Sequence, residues 1–191
     1  MQLIEIPITP AMIQQAEQKS VEMGKLKNSI RDGEGNLAGF VGEFAVNEVF
    51  LGAVTNTFDY DILLGGVKID VKTKEVSFVP NPWYESSVAC YNTRQKCDWY
   101  AFARVCNDFT TAWFCGMIKK TEYFTHEKKM FRKQGWIDPS NGMMIKADCW
   151  NMEYQHMPIP DEVMDKARRL GFATWDPEND WINEDKRVCN L

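Results

Sequence analysis

Apolar positions along this chain fall into two rhythms. From Thr9-Pro10, an N-cap oxygen followed by proline at the first helical position, Met12, Ala16, Lys19, Met23, Leu26 and Ile30 step by four and three, which predicts a helix ending near 28–30. Arg31 to Asn36 reads as a loop, and Asn36 can cap a second helix to about Leu51. On that helix Leu37, Phe40, Val41, Phe44 and Ala45 share one side, and Glu43 sits at the border of the buried face. Gly39 and Gly42 weaken a helix by roughly 1 kcal/mol each against alanine, which makes sense where something packs closely.

The rhythm changes at FDYDILLGGVKIDVKTK, residues 58–74. Two strand-like runs flank Gly65-Gly66, a two-residue hairpin turn, so Leu64 pairs with Val67, Ile62 faces Ile69, Asp61 faces Asp70 and Asp59 faces Lys72. One face carries Phe58, Tyr60, Ile62, Leu64, Val67, Ile69, Val71 and Thr73; the other carries Asp59, Asp61, Leu63, Lys68, Asp70, Lys72 and Lys74.

Two carboxylates directly opposed on antiparallel strands repel by roughly 0.2–1 kcal/mol. A hard divalent cation turns that repulsion into binding, and a nearby lysine adds the charge that phosphoryl hydrolysis uses. A charged strand face that is merely solvated is the other reading of the same spacing.

Asp61, an apolar run, then Asp70-Val71-Lys72, with Glu43 on the preceding helix, resembles the PD-(D/E)xK nuclease superfamily, small stand-alone phage-encoded members in particular. Tyr60 stands where the superfamily usually has proline. The resemblance covers roughly residues 37–120 by element order, with the motif confined to 43–74. It implies an α/β fold with a restriction-endonuclease-like mixed sheet flanked by helices, and a Mg²⁺-dependent deoxyribonuclease in which Mn²⁺ can substitute, endonuclease ahead of exonuclease. Asp61, Asp70 and the Val71 carbonyl are the implied metal ligands. Glu43 is implied to hold a water at the metal, and Lys72 to orient the attacking water. Lys74 would replace Lys72 if a bulge shifted the register. A non-cutting nucleic-acid-binding protein on the same fold, or a protein-interaction module, are the rival functions.

After the hairpin, the prolines of Phe78 to Tyr84 predict a loop with aromatics, which stack on sugars or bases or anchor the loop itself. Trp99 to Val105 and Thr111 to Ile118 are nearly continuous apolar runs around the turn Asn107-Asp108, hence strands buried on both faces. Asn92 and Gln95, just before the first of them, are candidate DNA contacts. Between 119 and 133, Lys119, Lys120, Lys128, Lys129, Arg132 and Lys133 outnumber Glu122 and Glu127 by four. On one helix they would form a basic face for DNA phosphates. Residues 137–142 read as a turn, Met143 to Trp150 as a strand with Asp148 at its end, and Asp161 to Leu170 as a capped helix with Val163, Met164, Ala167 and Leu170 apolar.

Composition narrows these readings. A chain of 191 residues suits a single domain, with an N-terminal helix and loop (1–35) and a C-terminal helix and tail (158–191). A net charge of −5 argues against a polycation that coats nucleic acid. No apolar run is long enough for a membrane, and the N-terminus lacks a signal-peptide pattern, so no membrane partner and a cytoplasmic location are expected, with DNA as partner and a homodimer possible. Cys90, Cys97, Cys106, Cys115, Cys149 and Cys189 form no C-x-x-C pair, and His126 and His156 complete no zinc spacing; free buried thiols are expected.

Overall fold

The computed structural model describes residues 2–23, 36–138 and 144–175. A seven-stranded sheet runs β10-β1-β7-β6-β4-β3-β2, with β1 Leu3–Pro7, β2 Ala53–Val54, β3 Ile62–Leu64, β4 Val67–Val76, β6 Trp99–Cys106, β7 Thr111–Lys119 and β10 Ala173–Trp175. Its pairs are antiparallel except β4 with β6, so the sheet is mixed. The crossover between those two parallel strands carries β5, Glu85–Ala89, which joins β8 (Met130–Arg132) and β9 (Cys149–Glu153) in a second, three-stranded antiparallel sheet. Helices α1 (Pro10–Met23), α2 (Asn36–Phe50) and α4 (Asp161–Arg169) contribute Met12, Ala16, Val41, Val46, Met164 and Ala167 to one apolar core with one face of the large sheet. On the opposite face, Tyr100, Phe102 and Trp113 pack with Val88, Tyr123, Met152 and Tyr154 from β5, the short helix α3 (Lys120–Thr125) and the β9 region. The expected α/β class, a mixed sheet flanked by helices, is what forms.

The local signals work as the sequence predicts. Thr9 Oγ1 accepts a bond from Met12 N at 3.3 Å, and Met12, Ala16 and Lys19 are buried. The predicted end of α1 near 28–30 lies outside the described residues. Helix α2 stops at Leu51, whose φ of 56° is left-handed, and Asn47 then brackets Gly52 through both its amide atoms, at 3.0 and 3.2 Å. The hairpin register is the predicted one, Leu64 with Val67 and Ile62 with Ile69. Gly65 and Gly66, at φ 55° and 91°, take the two positive angles a type I′ turn requires.

Gly42 explains one of the two helical glycines. A β-carbon there would lie 2.2 Å from Thr73 Oγ1 and 3.0 Å from Thr73 Cβ, so α2 can lie this close to β4 only without a side chain. Gly42→Ala is therefore expected to destabilise the fold by about 1–3 kcal/mol despite alanine's better helix propensity. Gly39 has open space around it, and Gly39→Ala is expected to be neutral or stabilising. Urea melts of the two variants check this; an equal response would mean that α2 does not need the close approach.

Several expectations are corrected. The first hairpin arm is short: β3 begins at Ile62, and Asp59 does not face Lys72 but accepts a bond from Lys96 N at 3.0 Å. The N-terminal residues and the start of the tail are strands, β1 and β10, because each finds its ladder partner across the molecule. The basic helix is only α3; Met130 to Arg132 turns instead into β8, where it pairs with β9. Of the strand expected from Met143, which lies outside the described residues, to Trp150, only Cys149 and Trp150 fall in β9, and Asp148 before it accepts a bond from Gln134 N at 2.8 Å. Cys90, Cys97, Cys115 and Cys149 are free thiols, but Cys106 is disulfide-bonded. Among the described residues no helix is long and apolar enough to cross a membrane.

Candidate active site

Strand β4 has neighbours on both sides, and its charged face is covered rather than solvated. Alternation puts Asp70 and Lys72 on that face. Over them lies the turn Cys90–Arg94 with Gln95 just beyond it. Asp70 is 1% exposed. Its Oδ1 accepts from Gln95 Nε2 at 2.9 Å, and its Oδ2 meets Lys72 Nζ at 2.5 Å. Lys72 also donates to Gln95 Oε1 at 3.2 Å, and Gln95 Nε2 donates to the Phe58 carbonyl at 2.6 Å. Gln95 is thus a buried brace between the acid, the lysine and the loop before β3, not a free contact for DNA. Lys120, another expected DNA contact, donates its ammonium to the Gln95 carbonyl.

Asp61 closes the cluster from the loop before β3. Its Oδ2 accepts from Val71 N at 2.7 Å, while its own amide continues the hairpin ladder to Ile69 O at 2.9 Å. Helix α2 adds Glu43, which is buried. Glu43 Oε2 receives Lys19 Nζ at 2.5 Å, and Lys19, itself 5% exposed, also donates to Thr55 O at 2.7 Å and lies over the Phe40 ring. The pattern of α1 placed Lys19 on the buried stripe without giving it a role. A lysine between Ala16 and Met23 on an apolar face was the available signal, because a buried ammonium needs a counter-charge.

Burial dominates the electrostatics. It pushes Glu43 up to about 7, against the pull of Lys19. Asp61 is raised well above the usual carboxylate range by burial, then by Glu43 and Asp70. Asp70 is raised by burial and held back chiefly by Lys72. Burial alone would lower Lys72, but Asp70 and Asp61 outweigh it and raise it, so the ammonium stays charged. Three carboxylates thus share two ammonium groups, and among the described residues Asp61 makes no ion pair. Lys74 is elsewhere: it donates to Glu85 O at 2.9 Å, and burial, then Arg104, bring it down to about 7. The register therefore makes Lys72 the lysine of the site.

Among the described residues no three His, Cys, Asp or Glu side chains converge as a ready metal cage; Lys19 and Lys72 hold two of the three carboxylates. The donor chemistry nonetheless suits a hard cation. Asp61 and Asp70 are near enough to share a hydrogen bond, and both are poorly stabilised as anions.

The remaining candidates are dispersed. Asn92 lies half-buried in the turn before Gln95 and accepts its amide at 3.0 Å. Lys119 pairs with Glu122 and lies over Trp99; Lys128 pairs with Glu127; Lys129 lies over Trp150. Arg132 binds Glu85 at 2.5 Å and stacks on Trp136. The four cations are not aligned on one helix, because the helix that would have carried them ends at Thr125. Comparison of the chain with protein-family models and with curated protein sequences finds no match.

Proposed function

We propose that the protein is a Mg²⁺-dependent deoxyribonuclease of PD-(D/E)xK type that hydrolyses phosphodiester bonds, acting endonucleolytically, with Mn²⁺ as a substitute ion. The observation that carries this reading is the meeting of Glu43, Asp61, Asp70 and Lys72 in one cluster, from a helix, a loop and a strand, with Glu43 and Asp70 buried and Asp61 and Lys72 half-buried. Asp61 and Asp70, with the Val71 carbonyl, would hold the ion, which supplies positive charge for the phosphate oxygens and for the attacking water. Lys72 stays protonated and faces the developing negative charge, while Asp70 and Gln95 fix its ammonium. Glu43, near 7, can take a proton from the attacking water at neutral pH, and the leaving oxygen on the opposite side of phosphorus takes its proton from solvent. Lys19 sets the position and charge of Glu43.

Incubating closed-circular and linear DNA with the protein in Mg²⁺, Mn²⁺ or EDTA tests the proposal. Nicking or opening of the circle in either metal, and none in EDTA, is expected. Shortening of linear DNA alone would make the enzyme an exonuclease. Binding without cleavage in either metal would favour a non-cutting nucleic-acid-binding protein, for which two lysine-held carboxylates would be a resting structure.

Metal dependence of stability gives a second check. Asp61→Asn keeps an oxygen for Val71 N but removes the charge that Glu43 and Asp70 oppose. A carboxylate raised in the fold favours folding below its unfolded pKa and loses that contribution as pH rises through its folded value. In EDTA, at a pH above the folded value of Asp61, Asp61→Asn is therefore expected to melt above the wild type, by about 2–4 °C if the relief is about 1 kcal/mol. Mg²⁺ at tenfold over its Kd stabilises the wild type by about 1.4 kcal/mol, or about 3–6 °C, and the variant hardly at all. Equal Mg²⁺ shifts in both proteins would mean that Asp61 binds no metal.

A further inference from the structure

Two exposed aromatic side chains lie on the segments that flank the acid–lysine cluster. Phe58 is 57% exposed and Tyr91 is 41% exposed, and neither belongs to either apolar core. Both lie on segments, here called lips, that are tied to the site. The Phe58 carbonyl accepts from the same Gln95 amide that braces Asp70. Tyr91 sits in the turn that leads to Gln95, near enough to Lys72 for its phenol to feel that charge. The lips are also fastened to each other, since Asp59 accepts from Lys96 N at 3.0 Å. Arg94 and Lys96 are exposed on the Tyr91 lip, with Asn92 half-buried between them and the ring. The lips therefore combine exposed aromatic side chains with cations and an amide.

Among the described residues, the cations expected to form a basic face for a duplex are largely engaged elsewhere. The chain carries a net charge of −5, and Lys119, Lys128 and Arg132, expected to align on a basic helix, are ion-paired to Glu122, Glu127 and Glu85. Base faces can lie on aromatic rings only when they are not stacked within a duplex. We propose that Phe58 and Tyr91 are base-stacking platforms on the two lips of the site, and that the DNA strand enters it single-stranded. The inference rests on the nuclease reading for its choice of DNA, but not on cleavage.

The test is a binding measurement in EDTA at fixed salt. A fluorescently labelled oligo-dT and a hairpin duplex of equal charge are titrated with wild type, Phe58→Ala, Tyr91→Ala and the conservative Phe58→Tyr and Tyr91→Phe. The wild type is expected to bind the single strand more tightly. Each alanine is expected to weaken single-strand binding by about 5- to 150-fold, the range of one lost base–aromatic stack, and the conservative variants to retain it. Duplex binding should move by less than about twofold, because phosphate contacts carry it. Equal affinity for the two DNAs, or alanine variants that bind the single strand like wild type, would overturn the inference. A wild type that cuts no DNA yet shows ring-dependent single-strand binding overturns the nuclease reading alone. An enzyme that cuts duplex and single strand alike, with or without the rings, overturns this inference alone.

Discussion

Lys72→Ala is expected to lose Mg²⁺-dependent DNA cleavage by about 10²–10³-fold or more, the cost of removing one fixed positive group from a developing oxyanion. Lys72 is the ammonium that meets Asp70 at 2.5 Å, and it stays charged because Asp70 and Asp61 outweigh its burial. Its loss leaves Asp70 with Gln95 as a neutral donor, and the burial that already raises Asp70 then favours its protonated form further. The variant should therefore remain folded, which far-UV circular dichroism checks. Lys74→Ala is the internal control. Lys74 shares the strand face but is bonded to Glu85 O, so its removal should leave most of the cleavage. A dead Lys74→Ala beside an active Lys72→Ala would show that the wrong lysine has been placed at the acids.

Lys19→Met is expected to be the most destabilising single change in the site. It removes the only ammonium within ion-pair distance of Glu43 among the described residues. Breaking a buried pair on one side costs about 3–5 kcal/mol, which for a chain of this size lowers the melting temperature by roughly 6–20 °C. The loss should depend on pH. Glu43 is at about 7 in the fold against 4.5 ordinarily, so it binds its proton more tightly when folded. A group raised in this way favours folding below about 4.5, and that contribution disappears as pH rises through about 7. Without Lys19 the carboxylate rises further. The penalty should be larger at pH 8–9, where folding holds Glu43 most strongly against its unfolded ionisation, than at pH 5–6, where it stays protonated in the fold. Lys19→Met combined with Glu43→Gln should recover most of the lost stability, since the charge and its partner leave together. Melting curves at pH 5.5 and 8.5 for the wild type and both variants decide this. A pH-independent loss, or a double variant no better than the single one, would mean that Lys19 acts by packing and not by charge.

Local chemistry determined much of this protein from sequence alone. Thr9-Pro10 starts α1, Gly65-Gly66 turns the hairpin in the predicted register, and the two long apolar runs become β6 and β7. Each depends on residues within a few positions of one another, where capping, backbone angle and alternation act. The order Glu43, Asp61, Asp70, Lys72 was legible for the same reason, because strand alternation separates Asp70 and Lys72 from the apolar side of β4. What lay on top of that charged face was not legible. A strand's alternation says which side a residue faces and not whether water or protein covers it. Tertiary packing placed Gln95 over Asp70 and turned a half-solvated hairpin into a buried cluster with raised carboxylates. It also joined Lys19 to Glu43, 24 positions apart, and built β1 with β10 and β5 with β9 from segments whose partners lie far along the chain. The failed basic helix follows the same physics. Its charges suited a helix, but Met130 to Arg132 paired with β9 and Arg132 bound Glu85, so ladder bonds and a partly buried ion pair outweighed local propensity.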